Sequence, residues 1–511
     1  MRILFLSESS YPRHPGGAGK STHLLAAGLV ARGHDVLIFC GSDDPTMQET
    51  IDGVRVHRVC WKEADEHPRS RREAATAAAI LEYLAREIPP STIDLLYDSG
   101  GFLSYFFPVA NEWKTRHGVP YVIHYRYLQA RERLAPLFGF VDVEFFCPET
   151  PQDFPSRLAD EVVCPSAQDA RLVERLFYPA SGRPTVIPEP VEPCSADPIE
   201  VTRLRQELLD EGDFLLFFGG RIIDAQKGPE VVRKSVERIR RSNPRARLLL
   251  AVQEDSWLDP YRHLGSGVVA LPWLEKRSDL FTALAAADLT LVPSHQESFG
   301  MICAESLAAG TPVIASAVGA MPDMVRPGKN GFLLEGRPKE WVGQIADDTL
   351  RLMDDPERLR RMSEAARDSA VGLDVPGVAA RVEELCRHVV AASRRELPYE
   401  LPAPALTVED RKRYLVRLRV LFGDQGHDWG NEVLSSWHRT ASSRCSACTR
   451  SRIARDAARL NSLRPWRPLH WVKKVTGRYR AAARAATMAA CPLGELQKQT
   501  LSSGSVPPEA R

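Results

Sequence analysis

The sequence contains no apolar run near the roughly 18–20 residues that a membrane-spanning helix needs. Its first apolar run, residues 3–6, is followed at once by the polar residues 7–10, so it is too short for a signal-peptide core. We expect this run to be a buried strand. These features predict a cytoplasmic protein, in which disulfide bonds are not expected.

The ten cysteines include a single C-x-x-C pair, Cys445 and Cys448. A structural zinc site needs about four ligands, and the nearby histidines His427, His438 and His470 do not have the spacing of a zinc finger. A zinc site and a redox pair stay open as alternatives, but the favoured interpretation is that the pair has no such role. The other cysteines are expected to be small buried hydrophobes.

Net charge is also small, +1 for 511 residues, but it is unevenly distributed. Residues 401–511 carry 20 Lys and Arg against 8 Asp and Glu, whereas the remainder carries 47 against 58. The basic stretch includes Trp466 and Trp471. Packing on the acidic body or an accessory role is the favoured interpretation; peripheral contact with an anionic membrane is second. Nucleic-acid binding is the least favoured.

The length exceeds what one hydrophobic core usually supports. Apolar runs alternate with helical patterns, and residues 188–198, with four prolines, are expected to be a linker. This alternation predicts two parallel sheets covered by helices. The expected fold is α/β, with Rossmann-like doubly wound domains at 1–190 and 191–400 that face a cleft, and a basic extension at 401–511. The predicted strands are 2–8, 36–40, 54–59, 95–97, 121–123, 161–164 and 185–187, then 214–218, 248–252, 268–271, 289–292, 313–315 and 332–334, before a helical region at 338–397.

Ligands in such sheets bind beyond the carboxyl ends of the strands. Gly219, Gly220 and Arg221 follow the strand at 214–218 directly, and Lys227 comes six residues later. Glycines allow the backbone to approach a ligand closely, and two cations near one turn suit a diphosphate. Taken alone, this pattern is more typical of solvated surface cations.

A second cluster follows the strand at 289–292. Glu297 lies just before an apolar helix, where unpaired N–H groups favour anions, and Glu305 lies within that helix. Eight helical residues span about 12 Å, which is comparable to the distance from a hexose to the ribose in a sugar nucleotide. Carboxylates accept hydrogen bonds from sugar hydroxyls. The alternative is a pair of capping or solvated carboxylates.

The run from Glu297 to Glu305 resembles the signature of retaining GT-B glycosyltransferases of the large family 4 type, which includes sucrose synthases and bacterial mannosyltransferases. The surrounding residues 308–316, 318–320 and 330–332 are similar to that family too. The resemblance is dense over 214–334, looser over 1–190, and does not extend to 401–511. The chain departs from the family at Glu189-Pro190, where Asn-Gly is common, and at Ala320, where a glycine is common.

The resemblance implies transfer of a sugar from a nucleotide-sugar donor, held by the second domain, to an unidentified acceptor held by the first. It implies retention at the anomeric carbon without a metal or other cofactor, which the lack of any Asp-x-Asp motif fits. Glu297 would contact the sugar, Glu305 the ribose, and Arg221 with Lys227 the diphosphate. The implied catalytic residues are His124, Arg221, Lys227 and Glu297. The implied donor-binding residues are Gly16 and Gly17 of a glycine loop, Gly220, Arg221, Lys227, Glu297, Ser298, Phe299, Gly300, Met301 and Glu305.

Two other functions compete with glycosyl transfer. A sugar-nucleotide epimerase or a phosphorylase on the same fold is the nearer alternative. The run 16–22 is similar to a phosphate-binding P-loop, but that motif needs a glycine where the chain has His14. A P-loop-type NTPase is therefore the weaker alternative.

Overall fold

A computed structural model describes residues 1–7, 11, 16–42, 45–60, 79–100, 106–128, 153–176, 179, 181–274 and 276–393. The predictions for the extension 401–511, and for Cys445 and Cys448, lie outside the described residues. In the described part of the chain, no helix combines the length and the apolar character that crossing a bilayer requires.

The first sheet has eight strands in the order β3-β4-β2-β1-β5-β6-β7-β8, parallel except for the β3–β4 pair. We call this sheet and the helices that cover it the first lobe. The antiparallel β3 is an edge strand that the sequence interpretation did not include. The elements are β1 Arg2–Ser7, α1 Gly17–Ala31, β2 Asp35–Ser42, β3 Met47–Ile51, β4 Val54–Cys60, β5 Leu95–Asp98, α2 Phe106–His117, β6 Tyr121–His124, α3 Asp153–Leu158, β7 Glu161–Cys164, α4 Ala167–Leu176 and β8 Thr185–Val186.

The second sheet has six parallel strands in the order β11-β10-β9-β12-β13-β14. We call this sheet and its covering helices the second lobe. Its elements are α5 Pro198–Leu208, β9 Phe214–Phe218, α6 Pro229–Ser242, β10 Ala246–Val252, β11 Val268–Pro272, α7 Arg277–Ala286, β12 Leu289–Val292, α8 Met301–Ala309, β13 Val313–Ser316, α9 Met321–Met324, β14 Gly331–Leu334, α10 Pro338–Met353 and α11 Pro356–Ser369, with short 3-10 helices at Ala225–Lys227 and Asp255–Gly267.

Both faces of the central strands of the second sheet are buried, which explains why these strands are mostly apolar. Side chains alternate between faces along a strand. In β9, Leu216 and Phe218 enter the core beneath α6 and α10, whereas Leu215 and Phe217 enter the core beneath α7. The expected α/β fold, with two doubly wound domains, is confirmed.

The last described helix, α12 at Val375–Ser393, returns to the first lobe. Its apolar residues Val378, Val382 and Cys386 share a core cluster with Ile3 of β1 and Leu25 of α1. The sequence interpretation grouped this helix with the second domain, by chain position. Its packing shows that it contributes to the core of the first lobe.

In each sheet the chain changes direction beside the strand at which the sheet begins. After β9 to β11 build one side of the second sheet, β12 is added on the other side of β9. A crevice forms at such a switch point, beyond the carboxyl ends of the two strands. The loops that follow β9 and β12 therefore lie beside each other.

Candidate active site

Two hydrogen-bonded loops form the candidate site at the switch point of the second sheet. The His295 N–H donates to the Gln226 carbonyl at 2.7 Å, joining the loop after β12 to the short 3-10 helix after β9. Gly228 ends that 3-10 helix with a left-handed φ of 73°. A Cβ there would lie 2.3 Å from the Pro293 carbonyl oxygen, so only glycine allows this approach.

Lys227 and Glu297 meet because of this loop contact. Lys227 Nζ donates to Glu297 Oε2 at 2.5 Å, and the two side chains are 26% and 20% exposed. The sequence interpretation assigned these residues separately to the diphosphate and to the sugar. The structure brings them together as a half-buried ion pair that solvent, and hence a ligand, can reach.

Arg221 lies on the same side of the sheet but does not join that pair. Its guanidinium is 72% exposed, and its one ion pair among the described residues is with Asp224, at 3.0 Å. Gly220 precedes it with φ at 89°, in open space. Because a long exposed arginine can swing over several ångströms, Arg221 is free to turn toward an anion at this edge of the sheet.

The backbone after Glu297 is tightly packed. A Cβ on Gly319, where φ is +60°, would lie 2.3 Å from the Glu297 carbonyl oxygen and 2.5 Å from that of Ser298. The Ala320 N–H donates to the Ser298 carbonyl at 3.0 Å. Phe299 is buried in the core cluster of α8. The predicted residues Ser298 and Phe299 thus anchor the loop, which holds Glu297 in place.

The first lobe approaches this loop through its glycine segment. Gly300, with φ at 90°, precedes α8, and Met301 is the first residue of that helix. A Cβ on Gly17 would lie 3.5 Å from Met301 Cγ, an ordinary contact distance. The structure therefore places Gly17 against the start of α8, with Gly16 next to it as the N-cap of α1.

Glu305 is buried on α8 and is paired. Arg277 of α7 donates from Nη2 to Glu305 Oε1. The same arginine donates from Nε to Glu192 Oε2 at 2.8 Å, and Lys20 of α1 donates to that oxygen as well. Burial raises the pKa of Glu305, while the charges of Arg277 and Lys20 oppose that shift.

Burial and the neighbouring charges together shift the pKa values of Lys20 and Glu192. Burial lowers the pKa of Lys20, with Glu192 opposing. For Glu192 itself burial favours a higher pKa, but its bonds to Lys20 and Arg277 outweigh burial and lower it. The result is two cations and two carboxylates in alternation, which removes the cost that an unpaired charge would have in this setting.

His124, at the end of β6, belongs to a separate, fully buried cluster around Glu189. Arg126 and Ser21 both donate to Glu189 Oε2, and His124 Nε2 lies 3.5 Å from Glu189 Oε1. The Tyr97 hydroxyl lies 3.0 Å from His124 Nδ1. Among the described residues, neither His124 Nε2 nor Arg126 Nη2 has a hydrogen-bond partner.

The surroundings of His124 favour the neutral imidazole. Burial, reinforced by the charge of Arg126, places the pKa of His124 well below its usual value. Because Nε2 faces a carboxylate, the proton belongs on that nitrogen, and Nδ1 accepts from the Tyr97 hydroxyl. His124 is therefore oriented as a hydrogen-bond donor.

Sequence reasoning missed four residues that make these contacts: Arg126, Glu192 and Arg277 were not considered, and Lys20 was considered only within a P-loop. Glu189 was noted only as a departure from the family. Arg126 stands two residues after His124, and Glu192 three after Glu189. No local pattern marks them, because their charged partners are 28 to 172 residues away in the chain.

Comparison with known proteins gives two matches along the chain. Residues 16–190 match the family described as "Glycosyl transferase 4-like domain", and residues 201–369 match "Glycosyl transferases group 1". The D-inositol 3-phosphate glycosyltransferase of Nocardia farcinica is 31% identical over 399 residues, covering 73% of this chain and 86% of that protein. The protein of the same name from Thermobispora bispora is 32% identical over 256 residues, covering 47% of this chain and 59% of that protein.

Solved structures with the same fold include sucrose-phosphate synthase of Thermosynechococcus elongatus, with a TM-score of 0.62 at 22% identity over 76% of this chain and 99% of that one. Anabaena HepE in complex with UDP and glucose gives a TM-score of 0.55 at 19% identity over 76% of this chain and 100% of that one. These similarities confirm the family resemblance found in the sequence. The chain belongs to the group 1 glycosyltransferases with a glycosyl transferase 4-like first domain, built on the GT-B fold.

Proposed function

We propose that the protein transfers a sugar from a nucleotide-sugar donor to an acceptor hydroxyl, with retention at the anomeric carbon. The observation that carries the proposal is the half-buried pair of Lys227 and Glu297 at the switch point of the second sheet, with Arg221 exposed on the same edge. A cation suited to phosphate and a carboxylate suited to hydroxyls thus occur within one contact distance.

In this proposal Lys227 and Arg221 bind the diphosphate and stabilise the negative charge that grows on it as the glycosidic bond breaks. Glu297 accepts hydrogen bonds from the transferred sugar, and Glu305 accepts them from the ribose. With two cations in that role, the reaction requires no metal. HepE, which shares the fold, has been crystallised with UDP and with UDP-glucose, which supports a nucleotide-sugar donor here.

The first lobe supplies the acceptor side. We propose that His124 Nε2 and Arg126 Nη2, buried donors without a partner among the described residues, meet oxygen atoms of the bound substrates, because a buried donor left unpaired is costly. The relatives are named for D-inositol 3-phosphate, so a polyol or its phosphate is the first acceptor class to examine.

Donor identity is tested by thermal shift with UDP-, GDP-, ADP- and dTDP-sugars, since a ligand that binds the folded state raises its unfolding temperature by mass action. The bound donor, labelled in its sugar, is then incubated with acceptors. A new glycoside whose anomeric configuration matches that of the donor supports the proposal. An isomerised donor, a sugar phosphate formed with inorganic phosphate, or an inverted product contradicts it.

The cation roles are tested by Lys227→Ala and Arg221→Ala. Each is expected to lower turnover at least about 100-fold, the scale of one lost transition-state contact. Lys234→Ala is the matched control, because Lys234 is exposed on α6 and pairs with Glu230 one helical turn away. Turnover at the wild-type rate in both site variants would contradict the assignment.

A further inference from the structure

A chain of ion pairs runs from the first lobe to the helix that carries Glu305. Lys20 of α1 and Arg277 of α7 both donate to Glu192 Oε2, and Arg277 also donates to Glu305 Oε1. The order is therefore Lys20, Glu192, Arg277, Glu305, with the charge alternating at each step. Lys20 belongs to the first lobe, whereas Arg277 and Glu305 belong to the second.

Glu192 is fixed by the backbone on which it stands. The preceding residue, Val191, is buried, and its N–H donates to the Leu373 carbonyl at 2.7 Å. Val191 also forms a parallel bridge with Asp374, immediately before α12. The segment between the lobes is thus tied down directly beside Glu192, so its carboxylate has a defined position.

Arg277 also has a defined position, because its side chain is held by contacts. Its guanidinium carbon lies 5.0 Å from the centre of the Phe281 ring, one turn along α7. The ion pair with Glu192 and the one with Glu305 engage different nitrogens of the guanidinium. Because that group is planar and rigid, a carboxylate on one side sets the direction in which the other side points.

Removing the charge of Glu192 would disturb both ends of the chain. Lys20 would lose its one ion pair among the residues that the structure describes, and Arg277 would keep Glu305 as its remaining carboxylate. Without the carboxylate of Glu192, we expect the guanidinium to turn fully onto Glu305. A bidentate pair of that kind takes one acceptor site on each carboxylate oxygen, so the direction in which Glu305 can accept a ligand hydroxyl changes.

We propose that Glu192 is a positioning residue for the donor: by holding Arg277 against Lys20, it keeps the Glu305 carboxylate aligned for the ribose hydroxyls. The proposal rests on the function proposed above, in which Glu305 contacts the ribose. Recognition of the ribose by the second lobe would then depend on Lys20 of the first lobe.

The test compares each of UDP, GDP, ADP and dTDP with its 2′,3′-dideoxy counterpart by isothermal titration calorimetry. The wild type is expected to prefer the hydroxylated form about 10-fold or more, the scale of hydrogen bonds to a charged group. Glu192→Gln, which has the same shape, is expected to reduce that preference at least about 3-fold. It should also raise the KM for the donor while kcat changes less than about 2-fold.

Lys20 tests the same contact from the other lobe. Lys20→Met removes the pair with Glu192 and is expected to reduce the preference in the same way, whereas Lys20→Arg keeps a cation there and should restore most of it. Glu200→Gln is the matched control, because Glu200 is a partly exposed carboxylate of α5 paired with Arg203. Thermal unfolding of each variant verifies that it is folded.

Two further results distinguish a failure of the positioning role from a failure of the proposed function on which it rests. If Glu305→Ala abolishes the preference but Glu192→Gln and Lys20→Met keep the wild-type value, the positioning role is refuted and the ribose contact stands. If the wild type binds none of the four nucleotides, or Glu305→Ala keeps the preference, the ribose assignment is refuted and the positioning role falls with it.

Discussion

Charged side chains form both the cluster around Glu189 in the first lobe and the pair of Lys227 and Glu297 in the second. The two groups differ in their exposure to solvent. Arg126, His124 and Glu189 are buried, and Arg126 is ion-paired with Glu189, whereas Lys227 and Glu297 are half-buried and Arg221 is exposed. A buried charge depends on its protein partner, and an exposed one does not. We therefore expect mutations in the first cluster to lower stability in addition to any effect on substrate binding, and mutations in the second to act mainly on activity.

The largest effect on stability is expected for Arg126→Ala. It leaves Glu189 buried with its main cationic partner gone, which costs about 3–5 kcal/mol in such settings. Denaturant unfolding measures the loss. Replacing both partners, Arg126→Met with Glu189→Leu, should recover much of it, because no charge then stays buried alone. A loss below about 1 kcal/mol in Arg126→Ala would contradict the contrast between the clusters.

Gly319→Ala should give the next largest effect. A methyl group at +60° φ would collide with the carbonyl oxygens of Glu297 and Ser298, and strain of this kind costs about 1–3 kcal/mol. The control is Gly182→Ala, where φ is also positive, at 90°, but nothing lies within 4 Å of the added carbon. Equal unfolding free energies for the two variants would show that the close approach to Glu297 does not matter.

A smaller effect concerns pH. Because the pKa of His124 is lowered in the folded protein, between that pKa and about 6.5 the unfolded chain binds a proton that the folded one does not. Stability is then fully present above pH 6.5 and falls as the pH is lowered. Within that window this histidine alone changes the free energy of unfolding by at most about 1.4 kcal/mol per pH unit. His124→Gln should remove this dependence of the unfolding free energy on pH. An unchanged dependence would show that the imidazole becomes protonated within the folded protein.

The smallest effect on stability is expected for Arg221→Ala. Its side chain is mostly exposed, and substitutions at such positions usually change the free energy of unfolding by less than about 0.5 kcal/mol. The same variant is expected to lose most of its turnover. Denaturation and rate measurements on one preparation therefore test the contrast between the two clusters. A marked loss of stability in this variant would contradict that contrast.

Much of the fold could be predicted from local sequence. The strands at 214–218, 289–292 and 161–164 have the predicted bounds, because a strand that is buried on both faces is largely apolar and so stands out as an apolar run. The edge strand β3, Met47–Ile51, was not predicted because it is half exposed and its residues are mixed. Pairing with β4, rather than its own composition, makes it a strand.

The candidate site divides in the same way. Residues such as Gly228, Glu297 and Gly300 stand in short loops that directly follow strands, so their neighbourhood was predictable from the topology of parallel sheets. The contact between Lys227 and Glu297 was not, since it depends on how the two loops are hydrogen-bonded to each other.

The sequence alone determined the α/β architecture, the two series of strands and the family, because apolar runs, glycines and short motifs are local properties. Only the tertiary structure decided which charged side chains form ion pairs with each other. It packed α12 against the first lobe and paired Glu305 with Arg277. It also paired Lys20 with Glu192, which lies 172 positions away in the chain. The physical reason is that a buried charge needs a partner, but nothing in its own neighbourhood along the chain specifies where that partner comes from.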